Sequence, residues 1–161
     1  MTKVLAALAL TMMSVSGCAS SALMVNSAPI GQYRADTITL EYMPAAIPVE
    51  DGTQSYLQQR MREAFLEGSN APFKPGGQLT LRYQFVGHNE GSRVGRWLTA
   101  GLAGGSKSYI QAEFLNADKQ VVGSVRAEGT VGGGFAGGSA KSGVDGAVKR
   151  ITEYAILTFH R

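Results

Sequence analysis

With 161 residues, 44% of them hydrophobic and 17% charged, the chain has enough apolar material for one packed domain and too much for a disordered segment. A net charge of +3, with no basic run longer than Lys149-Arg150, excludes the cationic stripe that nucleic-acid binding needs. The single cysteine excludes an internal disulfide.

The first seventeen residues read as an export signal. Lys3 supplies a positive start, Val4–Met13 an apolar run broken only by Thr11, and Val15-Ser16-Gly17 a set of small residues before Cys18. The apolar run is too short to span a bilayer as a helix of the mature protein. The arrangement resembles the bacterial lipobox, in which the cysteine becomes the lipidated first residue. The alternative is an ordinary secretory signal that adjoins a cysteine. Lipidation accounts for a lone cysteine in an exported chain. The resemblance implies several acyl chains on Cys18, each buried methylene adding about 0.8 kcal/mol to membrane affinity. It also implies the outer membrane, with the domain facing the periplasm, because Ala19 stands where an aspartate retains such lipoproteins at the inner membrane.

Residues 18–35 read as a lipidated N-terminus and tether, with Ala22–Val25 a loose strand candidate. From Ile38 to Met43, Ile38, Leu40 and Tyr42 alternate with Thr37, Thr39 and Glu41, the period of a half-buried strand. Pro44 and Pro48 end it. A helix follows, with Asp51 as its cap and Leu57, Met61, Ala64 and Phe65 as one apolar stripe. Gln58, Gln59, Arg62, Glu63 and Glu67 take the wet side, and Gly68 stops the helix. Asn70–Gly77 is a loop. Gln78–Val86 alternates most cleanly, Leu79, Leu81, Tyr83 and Phe85 against Thr80, Arg82 and Gln84. Tyr109–Leu115 and Val121–Val131 form a hairpin about the turn Asn116–Lys119. A last helix, Ser139–Phe159, buries Val144, Ala147, Val148, Ile151, Tyr154, Ala155 and Thr158, with Asp145 and Lys149 paired outside. These elements predict one α+β domain over residues 36–161, in the order β-α-β-β-β-α. The expected architecture is an antiparallel sheet of about four strands with two helices on one face. Leu81, Phe85, Phe114, Val148 and Ile151 should form its core.

Two glycine clusters flank the hairpin: Gly95, Gly101, Gly104 and Gly105 before it, and Gly132, Gly133, Gly134, Gly137 and Gly138 after it. The ends of a hairpin lie together, so both clusters should leave from one edge of the fold. They read either as two loops that need special backbone angles or as one platform that meets a partner or a membrane surface. Arg93 and Arg96 beside Trp97, Leu98 and Leu102 suit lipid headgroups, while Trp97 also suits packing beneath its loop. The candidate interaction surface is therefore Arg93, Arg96, Trp97, Gly101, Gly104, Gly105, Gly133 and Gly134.

Chemistry is sparse. His88 and His160 lack metal-ligand spacing to a second histidine or cysteine. The clusters lack the Lys-Ser/Thr ending of a phosphate loop, and Gly104-Gly105-Ser106 is no nucleophile elbow. An anion at Ser139–Gly143, held by free helix N–H groups, competes with a plain glycine-loop start to the helix. No cofactor, metal or catalytic residue is expected.

Gly91, Arg96, Gly101 and Gly104-Gly105-Ser106 precede a strand. A turn and a second strand then lead through Gly132–Gly138 into a helix carrying Ile151, Ala155 and Ile156. Over Ile38 to Ile156 this resembles a family of bacterial envelope lipoproteins, domain of unknown function 4410. The chain departs from it at the hairpin turn, where the family often has Asp-Gly and here Lys119 follows Asp118. The resemblance implies an envelope-anchored, non-enzymatic protein and brings no catalytic or ligand residue. The expected function is an outer-membrane lipoprotein with a small periplasmic interaction or assembly domain that meets an envelope protein partner. The alternative is a small-ligand or anion binder using the glycine platform.

Overall fold

The four expected strands do form, and they sit in a larger sheet than their number implies. The computed structural model describes residues 20–29, 31–89, 106–131 and 140–161. Along the chain run β1 (Ser20–Ser27), β2 (Thr37–Tyr42), α1 (Asp51–Arg62), β3 (Lys74–Pro75), β4 (Leu79–Asn89), β5 (Ser106–Leu115), β6 (Val121–Val131) and α2 (Ala140–Phe159). The sheet order is β1-β6-β5-β4-β2-β3.

The expectation of a four-stranded antiparallel sheet is corrected on two counts. The sheet has six strands, because β1 and β3 join it. It is also mixed: β4, β5, β6 and β1 pair antiparallel, whereas β2 runs parallel to β4 and β3. The cause lies in the connection. A helix between two adjacent strands carries the chain back to where it started, so β2-α1-β4 is a crossover unit and its strands must be parallel. The stretch expected as a tether carries β1, whose Ser20 pairs with Thr130 and Val25 with Val125.

α1 and α2 cover one face. Leu57, Met61 and Phe65 from the first helix, and Val144, Ala147, Val148, Ile151, Ala155 and Phe159 from the second, are buried in one cluster. They meet Leu79, Leu81, Tyr83 and Phe85 of β4, Ile110, Ala112 and Phe114 of β5, and Val125 and Ala127 of β6. All five expected core residues are among them. α1 lacks the expected Asp51 cap. Glu50 occupies that position, and its carbonyl accepts from Thr53 and Gln54 N–H at 2.9 and 3.1 Å. The helix ends in a π-helical turn, Glu63–Glu67, closed by Gly68 N–H donating to the Glu63 carbonyl at 2.8 Å. Gly68 is extended rather than left-handed (φ −66°, ψ 155°). Its use is room: a Cβ there would stand 2.9 Å from the Glu63 oxygen.

A second close approach seats α2. A Cβ on Gly129 of β6 would lie 1.7 Å from the Gly143 carbonyl oxygen, so strand and helix backbones touch there.

In the β5–β6 turn, Asn116 bonds Gln120 through both backbone N–H and side-chain Oδ1, at 3.0 and 2.9 Å. Lys119 takes φ 62°, the left-handed conformation that Cβ penalises. Lys119→Gly should therefore raise stability by about 0.5–1 kcal/mol. The Lys119 contacts to Thr80 and Glu41, at 3.4 and 3.8 Å, are long and come from a side chain that is mostly exposed, so they offset little. A urea midpoint lower than the parent's would refute this reading.

Candidate functional site

Cys18, Arg93, Arg96, Trp97, Gly101, Gly104, Gly105, Gly133 and Gly134 all lie outside the described residues. The strand ends that flank them in sequence are described. Ser20 pairs with Thr130, Ser106 with Val131, and Asn89 with Lys107. The starts of β1 and β5 and the ends of β4 and β6 therefore share one end of the sheet, opposite the Asn116–Gln120 turn. Segments 90–105 and 132–139 both connect to that end, and Cys18 stands two residues before β1. α2 begins there too, and its Gly143 is buried against Gly129, so part of the stretch Ser139–Gly143 serves helix–strand packing.

The described feature with the clearest surface character is the edge formed by β1. Its inward residues Ser21 and Leu23 wall a groove of about 350 Å³ together with Arg150, Glu153, Tyr154 and Leu157 of α2. Arg150 Nε donates to Ser21 Oγ at 3.0 Å, and its Nη1 lies 3.1 Å from Glu153 Oε2, so the two charges close one rim. Leu157 is 79% exposed, Met24 62% and Val25 53%. Deeper in, the Tyr154 hydroxyl is shut off from solvent with no well-formed hydrogen bond. Burial raises its pKa, and the nearby Thr158 hydroxyl offsets that in part. The floor of the groove is apolar. Sequence reading passed over it because Ala22–Val25 is an unbroken apolar run with no alternation to mark which face is inward.

A polar cluster joins the helices. Arg60 Nε donates to Asp145 Oδ1 at 2.8 Å, Tyr56 donates to the same carboxylate at 2.9 Å, and Arg60 also pairs with Glu63. Lys141 sits 5.0 Å from the Tyr56 ring centroid. Asp145 thus ties α2 to α1 and does not pair with Lys149 as its spacing suggested; Lys149 lies 3.9 Å from Glu153. Burial, then the Asp145 carboxylate, raises the Tyr56 pKa.

The face of the sheet away from the helices is polar. Arg82 Nε donates to Glu41 at 2.9 Å and, with Lys119, holds that carboxyl below its usual pKa against some burial. Lys107 does the same for Glu128 at 2.9 Å, with help from Thr130. Asn26, Gln111 and Ser124 form a hydrogen-bonded row. Among the described residues no group of histidine, cysteine and acidic side chains is placed to hold a metal. His160 stands edge-on to the Phe73 ring, centroids 5.3 Å apart.

No family model matches the chain, and no curated protein does. Solved structures do. PelC from Paraburkholderia phytofirmans, solved as a dodecamer, superposes with a TM-score of 0.56 at 11% identity, over 88% of this chain and 100% of that one. A single-substitution variant of that dodecamer gives 0.52 at 15%, over 87% and 98%. A Xanthomonas campestris protein of the domain of unknown function 330 family gives 0.46 at 15%, over 83% and 89%. At these identities the PelC matches establish a shared fold.

Proposed function

We propose that this is an outer-membrane lipoprotein, anchored through lipidated Cys18, whose periplasmic domain works as a non-enzymatic interaction and assembly module. Membership of domain of unknown function 4410 belongs to the same reading. One observation carries it: Lys3, the apolar run Val4–Met13 and Val15-Ser16-Gly17 lead directly into the only cysteine of the chain. The position of β1 supports it. Ser20 follows Cys18 by two residue steps, which span at most about 7 Å, so an anchor at Cys18 holds that end of the sheet close to the bilayer. The PelC chains of similar fold are dodecamers, which supports assembly with further copies as one form of the interaction.

Cys18→Ser decides the anchor. The variant should leave the membrane pellet for the soluble fraction and lose the mass of its acyl chains, while the parent floats with outer-membrane vesicles. Unchanged flotation and unchanged mass in the variant would end the lipoprotein reading.

A further inference from the structure

A strand at the edge of a sheet exposes a row of N–H and C=O groups, and proteins blunt such edges with charge, proline or short strands. One edge of this sheet is blunted in that way. β3 is only Lys74–Pro75, and it covers Thr37 and Ile38 of β2. β1 is not: Ser20–Ser27 carries eight residues with no charge and no proline, and among the described residues it pairs with β6 alone. Val25 on its helix side and Met24 on its other side are both exposed, and Leu157 overhangs the groove. A small ligand in the groove leaves Met24 and the backbone row uncovered. A further strand covers all three at once, its inward side chains entering the space beside Leu23 and Leu157.

We infer that β1 is the docking edge for a second copy of this chain, which lays the uncovered part of its β2, Thr39–Tyr42, along it. This rests on the assembly reading above and names its surface. Three observations select β2 as the complement. Its outer edge is open beyond the two residues that β3 covers, so β3 acts as a stop that fixes where a neighbour fits. Leu40 and Tyr42 on its helix side are only partly buried, matching Leu23 on β1. Strand direction also agrees. β1 and β2 run opposite ways across the sheet, so β1 of one copy meets β2 of the next as an antiparallel pair while both copies keep the same orientation. Every copy then has its helices on one side and its β1 start, next to Cys18, at one end, as a common membrane requires. Pairing β1 with β1 would instead put the two anchors at opposite ends of the joint. The contact is heterologous, so it propagates beyond a dimer.

The test uses the full lipidated chain in detergent. Met24→Cys and Thr39→Cys place one thiol on each edge at exposed positions, and a short bis-maleimide links them. The double variant should give a ladder of trimers and larger species, and each single variant only monomer. Adding Val25→Lys to the double variant should abolish the ladder while leaving the melting temperature unchanged, because a charge on an edge strand blocks pairing and not folding. Dimers from Met24→Cys alone would overturn the head-to-tail contact in favour of β1 on β1. An oligomeric mass by light scattering without any ladder would overturn the edge contact and leave assembly standing elsewhere on the surface. A monomeric mass would overturn both. None of these readouts depends on where the protein fractionates, so failure of the Cys18 anchor is seen separately.

Discussion

Gly129→Ala should cost more than about 3 kcal/mol, because the added methyl group has nowhere to go. Its position lies 1.7 Å from the Gly143 oxygen, 2.6 Å from the Gly143 carbonyl carbon and 3.1 Å from the Ala147 nitrogen. All three are helix backbone atoms, which cannot turn aside as a side chain can. Either β6 bulges away from its neighbours or α2 lifts, and lifting it uncovers Val144, Ala147 and Val148, all now buried. Urea titration of the purified domain measures the loss. Gly52→Ala is the control: nothing lies within 4 Å of its added carbon, and alanine suits the first turn of α1, so it should be neutral or slightly stabilising. A Gly129→Ala protein within about 1 kcal/mol of the parent would mean that strand and helix do not touch there.

Phe114→Ala should cost about 3–5 kcal/mol, the usual sum of lost transfer energy and a cavity left unfilled. The ring is fully buried, its centroid 4.8 Å from that of Phe159 and 5.7 Å from that of Tyr154. Its cross-strand partner on β6 is Gly123, which offers no side chain to collapse into the space, and on β4 it is Leu81, already packed in the core. Gly123 is bare for the same reason: a Cβ there would stand 2.9 Å from the Phe159 ring. Since whole domains are stable by about 5–15 kcal/mol, the variant should lose a large share of its stability. Phe114→Leu keeps most of the volume and should lose less than half as much. Equal midpoints for the two variants would show that ring packing contributes nothing beyond bulk.

Side-chain burial was legible in the sequence and strand direction was not. Alternation at Leu79, Leu81, Tyr83 and Phe85 reports only that one face is wet, a property shared by parallel and antiparallel pairs. The direction of β2 was encoded instead in the helix that follows it, since a crossover of that length returns the chain to the same end of the sheet. β1 was nearly invisible because an edge strand with exposed Met24 and Val25 has little alternation to show. The Asp145–Lys149 spacing is a valid helical pair, but Arg60 and Tyr56 reach the same carboxylate from α1 with better geometry, and no helical period reveals a neighbour from another element. For the same reason the groove beneath β1 is made by residues that sequence spacing does not connect, Ser21 and Leu23 with Arg150 and Leu157.

The pairing of Ser20 with Thr130 also sets an order of events. A chain delivered across a membrane from its N-terminus presents β1 first and β6 almost last. The first strand therefore waits for β6, its partner among the described residues, while nearly all of the domain is still to come. β2-α1-β4 and the β5–β6 hairpin close short loops and can form as they emerge, whereas the loop that seats β1 spans almost the whole domain and is entropically the most demanding to close. β1 is then the last piece of the sheet to be fixed, and its seating against β6 marks the completion of the domain.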